Sequence, residues 1–442
     1  MKKETAESQR KNQKLKNSKL SKVQKFFAIT IPTLCSIIIF SIILIAILTN
    51  RTTIAFYNIP QNQQNAISKI IQSNFPKKFK IISLNDDFDI KISDSNSGQT
   101  QSNDTQNLTK QLQKAKLIIA IKDSAIENYI KTQTKIVPFE AELLKGMPQS
   151  ISETVPVHNN HIKYLPLLFD MYQIDINYNF FLDSAIKNIT IFQDLDNFAD
   201  NLKSKVYAPI VLPFADSKEF LNIFGQMLEA LTNPQEYQKF YNQLQKIYNT
   251  NKNDNKKLTQ ELENFLQQQT QDNSTAFSKT QICFKQLIND KKIKDIVISQ
   301  NLEENLYYLD NQICGIFFTK LSDHRKIDRQ VINNYKSIYF PSTQITDNRK
   351  FCAYQYTAIV QTKNKHIQTL AQNLSNSLQK ELSTQTGLSP VQKNCQVPDH
   401  QSDDVRYWLA ASNGPVNPLS CAIPSKKAQK QTADFIRNQL SE

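Results

Sequence analysis

A chain of 442 residues, 40% of them apolar and only 6 of them Gly, can form two lobes or two domains and is too apolar to be disordered. Its formal net charge of +13 is partly local: residues 1–25 hold nine Lys/Arg against two Glu, a net of +7, which leaves +6 for the other 417 residues. No basic stripe stands in that remainder, so a nucleic-acid partner is excluded.

From Phe26 to Thr49 there are 24 residues without a charge. As a helix at ~1.5 Å per residue they reach about 36 Å, enough for a hydrocarbon core of ~30 Å. The basic tail precedes them and only Arg51 follows directly, so residues 1–25 are expected in the cytoplasm and the bulk outside it. A cleaved signal peptide would have a shorter apolar region and small residues at its cleavage site. Leu48-Thr49-Asn50 is a poor site, and Cys35, trailed by apolar residues, is not placed for lipidation. The expectation is an uncleaved single-pass anchor in the cell (inner) membrane.

Thr52 to Asn58 is β-rich and ends before Pro60, and residues 61–73 carry apolar positions at Ala66, Ile67, Ile70 and Ile71, a helical stripe. Phe79–Leu84 reads as a second strand, so the start is β–α–β and implies a parallel sheet. Residues 93–107 are polar and low in complexity, a surface insertion. A short helix over Leu108–Gln113 leads into Leu117–Ile121, whose continuous apolar run predicts a buried strand. Thr232–Asn273 reads as helices without sustained heptads. Strands are expected again at Asp295–Ile298, Cys314–Phe318 and Tyr356–Val360, the last followed by a helix over Lys365–Glu381, and a closing helix from Lys426 to Leu440. Beyond the anchor lie Cys283, Cys314, Cys352, Cys395 and Cys421. Their odd number leaves at least one thiol unpaired, none is spaced as a metal set, and buried thiols with room for one bridge are expected.

Within residues 160–181 stand His161-Ile162-Lys163-Tyr164-Leu165-Pro166, then Asp170, then Tyr178-Asn179. This series resembles the family 1 extracellular solute-binding proteins, the capture components of ABC importers. There a G-K-x-Y-x-L-P segment leads to an acidic residue, and a strand ending in Tyr-Asn crosses between lobes. Ile189–Leu195 is similar to the family's P-x-T-W-D-E-L, with Thr190 as a helix N-cap and Phe192 where the Trp would be. Asn311–Phe317, Tyr339-Phe340-Pro341 and Gly387-Leu388-Ser389-Pro390-Val391 match later segments in the right order.

The resemblance implies an α/β, two-lobed type II periplasmic-binding-protein fold with hinge-linked lobes. The first lobe would comprise 51–172 plus 351–395 and the second 173–350 plus 396–442, after the tail (1–25) and anchor (26–49). It implies capture of a small-molecule solute, with carbohydrate the leading class, in the cleft between lobes. The partners implied are ABC permease subunits and the membrane, with the protein a monomer and no cofactor. Asp170 occupies the family's acidic position. Tyr57 ends the first strand, Tyr172 and Tyr354 lie near the two crossings, and Trp408 is in the region where the family often presents a cleft aromatic. Cys352-Ala353-Tyr354-Gln355-Tyr356 replaces the small residues usual at the second crossing and is bulky enough to narrow the cleft. A rival expectation is therefore a non-transport envelope protein that kept the lobes and lost the ligand. His158 and His161 lack a clustered carboxylate or Cys, and no G-x-S-x-G, P-loop or G-x-G-x-x-G is present, so an enzyme is not expected.

Overall fold

The computed structural model describes residues 52–75, 79–84 and 108–441, apart from 185, 253, 347, 398 and 399. The expected tail, the anchor at 26–49 and the polar insertion at 93–107 lie outside the described residues. Among the described residues no helix is long and apolar enough to cross a membrane.

The strands are β1 (Thr52–Tyr57), β2 (Phe79–Leu84), β3 (Leu117–Ile121), β4 (Phe139–Glu140), β5 (His161–Ile162), β6 (Leu165–Asn177), β7 (Ala208–Val211), β8 (Cys314–Lys320), β9 (Tyr335–Ile338), β10 (Phe351–Val360), β11 (Ser389–Pro390) and β12 (Pro415–Val416). The helices of eight residues or more are α1 (Gln61–Asn74), α2 (Ser124–Thr132), α3 (Phe192–Leu202), α4 (Ser217–Leu231), α5 (Pro234–Asn251), α6 (Asn255–Gln271), α7 (Ala276–Asn289), α8 (Leu302–Asp310), α9 (Lys365–Ser375), α10 (Gln379–Thr386), α11 (His400–Ala411) and α12 (Lys426–Ser441).

All five residues of β3 are buried, as an apolar run covered on both faces should be, and β1 pairs with it in parallel, Ile54 opposite Leu117 and Tyr57 opposite Ala120. The helix between the first two strands buries Ile67, Ile70 and Ile71 along one stripe. The strand order runs β2-β1-β3-β10-β6-β8-β7.

Two strands, β6 and β10, hold the centre of that order. β6 is buried along all 13 residues. Its first part, Leu165 to Met171, pairs antiparallel with β10, while Tyr172 to Asn177 pairs antiparallel with β8 and β9. Within one continuous sheet the strand thus changes partner between Met171 and Tyr172. β10 returns the chain from β9 to a place between β6 and β3.

Against β10 and β6 lies α4, buried without interruption from Glu219 to Ala230. Its Phe220 and Phe224 pack with Phe277 and Phe284 of α7, the Phe224 and Phe284 rings stacked at 5.8 Å. Side-chain caps start these helices. Asn233 accepts from the Glu236 N–H at 2.9 Å ahead of Pro234, and Asp254 from that of Lys257 at 3.0 Å. The predicted helices over 232–273 are therefore two, α5 and α6.

Several expectations need correction. Asp295–Ile298 is a short helix rather than a strand. Of its three apolar side chains only Val297 is buried, and the strand-like bridge to Ile210 is made two residues earlier, by Ile293. The helix predicted over Lys365–Glu381 is broken at Asn376, whose φ of −133° and ψ of −88° end α9 before α10 begins. Thr190 is not the N-cap of α3; Ile191 is, and the Asp194 carboxylate turns back to accept from the Ile191 N–H at 3.0 Å and the Thr190 N–H at 2.9 Å. The crossing strand ends at Asn177, and Tyr178 opens a short helix. Gly387 closes α10 in the left-handed region at φ 70°, where a Cβ would also press on the Arg325 side chain at 3.0 Å. No disulfide joins any two of the five described cysteines, of which Cys314, Cys352 and Cys421 are buried.

Candidate functional site

Side chains alternate along a strand, so Asp170 and Tyr172 share one face of β6. The register places Tyr354 of β10 opposite Asp170, and Lys320 at the end of β8 opposite Tyr172, so all four side chains lie on that face. The start of α4 covers them. Tyr172 donates its hydroxyl hydrogen to Glu219 Oε2 at 2.7 Å, and the Asn222 amide donates to the Tyr172 oxygen at 2.7 Å and the Tyr354 oxygen at 2.6 Å. Lys320 Nζ reaches Glu219 and Asp323, each at 2.7 Å, and Asp170 accepts the Ser322 N–H at 2.9 Å. The Lys218 ammonium sits 5.1 Å from the centre of the Tyr354 ring.

Burial sets the electrostatics of this cluster. It pushes the Asp170 carboxyl up to about 6 although Lys320 pulls the other way. It likewise carries the Tyr172 phenol well above its ordinary value, with Glu219 adding to the effect, and the Tyr354 phenol to about 12 against the Lys218 charge. For Lys320 burial works against the charge, but Asp323, Glu219 and Asp170 outweigh it and hold the ammonium well above its usual range. Three of the five sequence-derived candidates, Asp170, Tyr172 and Tyr354, therefore meet. They meet in a filled, hydrogen-bonded cluster.

The other two stand elsewhere. Tyr57 is 1% exposed at the carboxyl end of β1. Trp408 of α11 lines a separate groove of about 310 Å³, its ring 5.8 Å from that of Tyr339, with Phe351, Arg349 and Tyr407 in the same wall. The structure does not bring Trp408 to Asp170.

On the other face of β10, Gln355 opens onto a pocket of about 210 Å³ beyond the carboxyl end of β3. Ligands of open α/β sheets sit at the carboxyl ends of strands. Lys122 leaves β3 there, and α2 starts on the Asp123 cap, whose carboxylate accepts the Ile126 N–H at 2.8 Å and so places Glu127 in the wall. Tyr241 and Gln245 of α5 and the segment Pro415–Asn417 complete it. Glu127 joins these elements, accepting from Gln245 at 3.1 Å and Asn417 at 3.0 Å, with Lys122 at 3.6 Å. The Gln355 amide nitrogen is buried without a partner. Sequence reasoning missed this set except for the position of Gln355 in a bulky crossing segment. The one signal available was the polar pair Lys122-Asp123 directly after a buried strand.

Among the described residues no group of three or more His, Cys, Asp or Glu side chains is placed to hold a metal. His158 and His161 are joined through their backbones, and the exposed His161 ring reaches Glu140 at 3.3 Å.

The mixed α/β architecture, with its long β6 pairing on one part with β10 and on the other with β8 and β9, matches the two-lobed folds of solved periplasmic binding proteins. No protein-family model and no curated protein sequence matches the chain. Solved structures do, as folds. The bacterial solute receptor AcbH, described as exclusive for β-D-galactopyranose, is similar at TM-score 0.60 and 8% identity, over 89% of this chain and 98% of that one. A chitin oligosaccharide binding protein is similar at 0.57 and 12%, over 89% and 98%. The GacH receptor of Streptomyces glaucescens GLA.O, solved unliganded and with acarbose, is similar at 0.53 and 12%, over 89% and 99%. All three are binding proteins rather than enzymes.

Proposed function

We propose that the chain is a membrane-tethered, extracytoplasmic solute-binding protein that captures a carbohydrate between its lobes and delivers it to an ABC permease. Residues 26–49 are the tether, residues 1–25 the cytoplasmic tail, and the lobes are 51–172 plus 351–395 and 173–350 plus 396–442. Ligand would be gripped as the lobes close by hinge motion about β6 and β10, with the protein a monomer and no cofactor required. The observation that carries this reading is the polar pocket at the β3 end, to which α2, α5 and the strand β10 each contribute a wall, and in whose lining stands Gln355, a residue with an unpartnered amide nitrogen. The sugar-binding descriptions of the similar folds support the solute class.

Thermal shift against neutral sugars, acidic sugars, oligosaccharides, amino acids and peptides tests it. A ligand at ~100 times its dissociation constant should stabilise the fold by about 2.7 kcal/mol. One observation favours the rival, an envelope structural or interaction module: Tyr172, Tyr354 and Lys320 already bond to the protein itself. A flat response across the whole panel supports that rival.

A further inference from the structure

The pocket beside Gln355 is unevenly satisfied. Its lining holds a single carboxylate, Glu127, and that group is committed to Lys122, Gln245 and Asn417. Two cations, Lys122 and Lys350, share the lining with it, so the walls carry a net +1. Lys122 is paired to Glu127, and among the described residues no hydrogen bond or ion pair involves the Lys350 ammonium. Gln355 is 3% exposed, and its amide nitrogen has no acceptor. Both residues line the pocket, and an anionic acceptor is what an unpartnered amide nitrogen and an unpaired ammonium each lack. The remaining surface suits a sugar ring: Gln238, Asn242 and Gln245 offer amides to hydroxyls, and Pro415 and Val416 offer an apolar strip to a C–H face. At about 210 Å³ the pocket is smaller than the ~300–1,000 Å³ of drug-sized sites and fits one ring rather than a chain.

We propose that this pocket takes a single uronic-acid ring, its carboxylate accepting from the Gln355 amide and balancing the Lys350 ammonium. The proposal rests on the solute-binding reading and names its ligand. A neutral sugar leaves the net positive charge uncompensated, whereas one carboxylate cancels it.

Isothermal titration of the full chain with galacturonate, glucuronate, galactose and glucose, at low and high salt, tests both levels separately. A uronate should bind at least about tenfold tighter than its neutral counterpart, the discrimination expected of a charge-assisted hydrogen bond, and should weaken as salt rises. Lys350→Met and Gln355→Glu, shown folded by circular dichroism, should each erase the preference. If galactose or glucose binds as tightly as the uronates, or if both folded variants keep the preference, the proposal is overturned while the solute-binding reading stands. Equal binding of acetate and galacturonate would overturn the sugar-ring part. If none of the four sugars binds and the wider panel is silent, the solute-binding reading falls and takes the proposal with it.

Discussion

Tyr354 and Gln355 are neighbours on one strand and face opposite ways. Tyr354 enters a cluster in which the phenols, the Asn222 amide, the Lys320 ammonium and the Glu219 carboxylate satisfy one another. Gln355 enters a pocket where its own donor is left over. The contrast teaches that a buried polar residue at a crossing need not be a ligand contact. Where every donor has found an acceptor inside the chain, the group fixes how the strands and α4 meet. A group left unsatisfied beside a pocket, as Gln355 is, is a candidate to meet something from outside.

The largest effect should come from the brace at the start of the same strand. Arg349 grips Glu229 with Nε and Nη2, the shorter contact at 2.8 Å, and both are buried. Arg349→Met leaves the Glu229 carboxylate uncompensated and should cost about 3–5 kcal/mol in urea unfolding. A loss under about 1 kcal/mol would show that the crossing does not depend on it.

Asp170 sharpens the contrast through pH. Burial holds its carboxyl at about 6, above the ~3.9 of an unfolded aspartate. Between these values the folded chain keeps a proton that the unfolded chain has released. Stability from this group is therefore full below about pH 4 and is lost as pH rises through about 6, by about 2–3 kcal/mol. Asp170→Asn keeps an acceptor for the Ser322 N–H and should remove that part of the slope. An unaltered profile of urea midpoints from pH 4 to 7 would show that Asp170 is not buried as described.

Smaller effects separate the two faces directly. Tyr354→Phe deprives the Asn222 amide of an acceptor at 2.6 Å and should cost about 1–2 kcal/mol. Gln355→Leu removes a donor that has no partner and should change stability by less than about 0.5 kcal/mol, or raise it. Reversal of the two, with Gln355→Leu the costlier, would contradict the division between a filled cluster and an open pocket.

The parts of the fold legible in the sequence are those with periodicity or unbroken apolar runs. Ile67, Ile70 and Ile71 announced α1 and Leu117–Ile121 announced β3, whereas β6 was placed only through the resemblance carried by Leu165-Pro166 and Asp170. Ile296-Val297-Ile298 misled because an apolar run of three is compatible with a strand or a helical turn. The break at Asn376 depends on backbone angles that composition does not specify. Asp170 was singled out by its place in the resembled family's motif and Tyr172 and Tyr354 by their nearness to the expected crossings, and the register of β6 with β10 is what brings them onto one face. Glu127, Gln245, Gln355 and Asn417 are ordinary polar residues in four distant segments, and only the folded topology brings them to one pocket. Trp408 stood out by being the single Trp, which said nothing of the direction of its ring.

The most direct test is a crystal structure of residues 52–442 grown with whichever sugar raises the melting temperature most. Density should lie in the pocket between Gln355, Lys350 and Tyr241, within hydrogen-bond reach of the Gln355 amide. Density in the Trp408 groove with the Gln355 pocket vacant, or a cluster of Tyr172 and Tyr354 prised open around the sugar, would contradict the account.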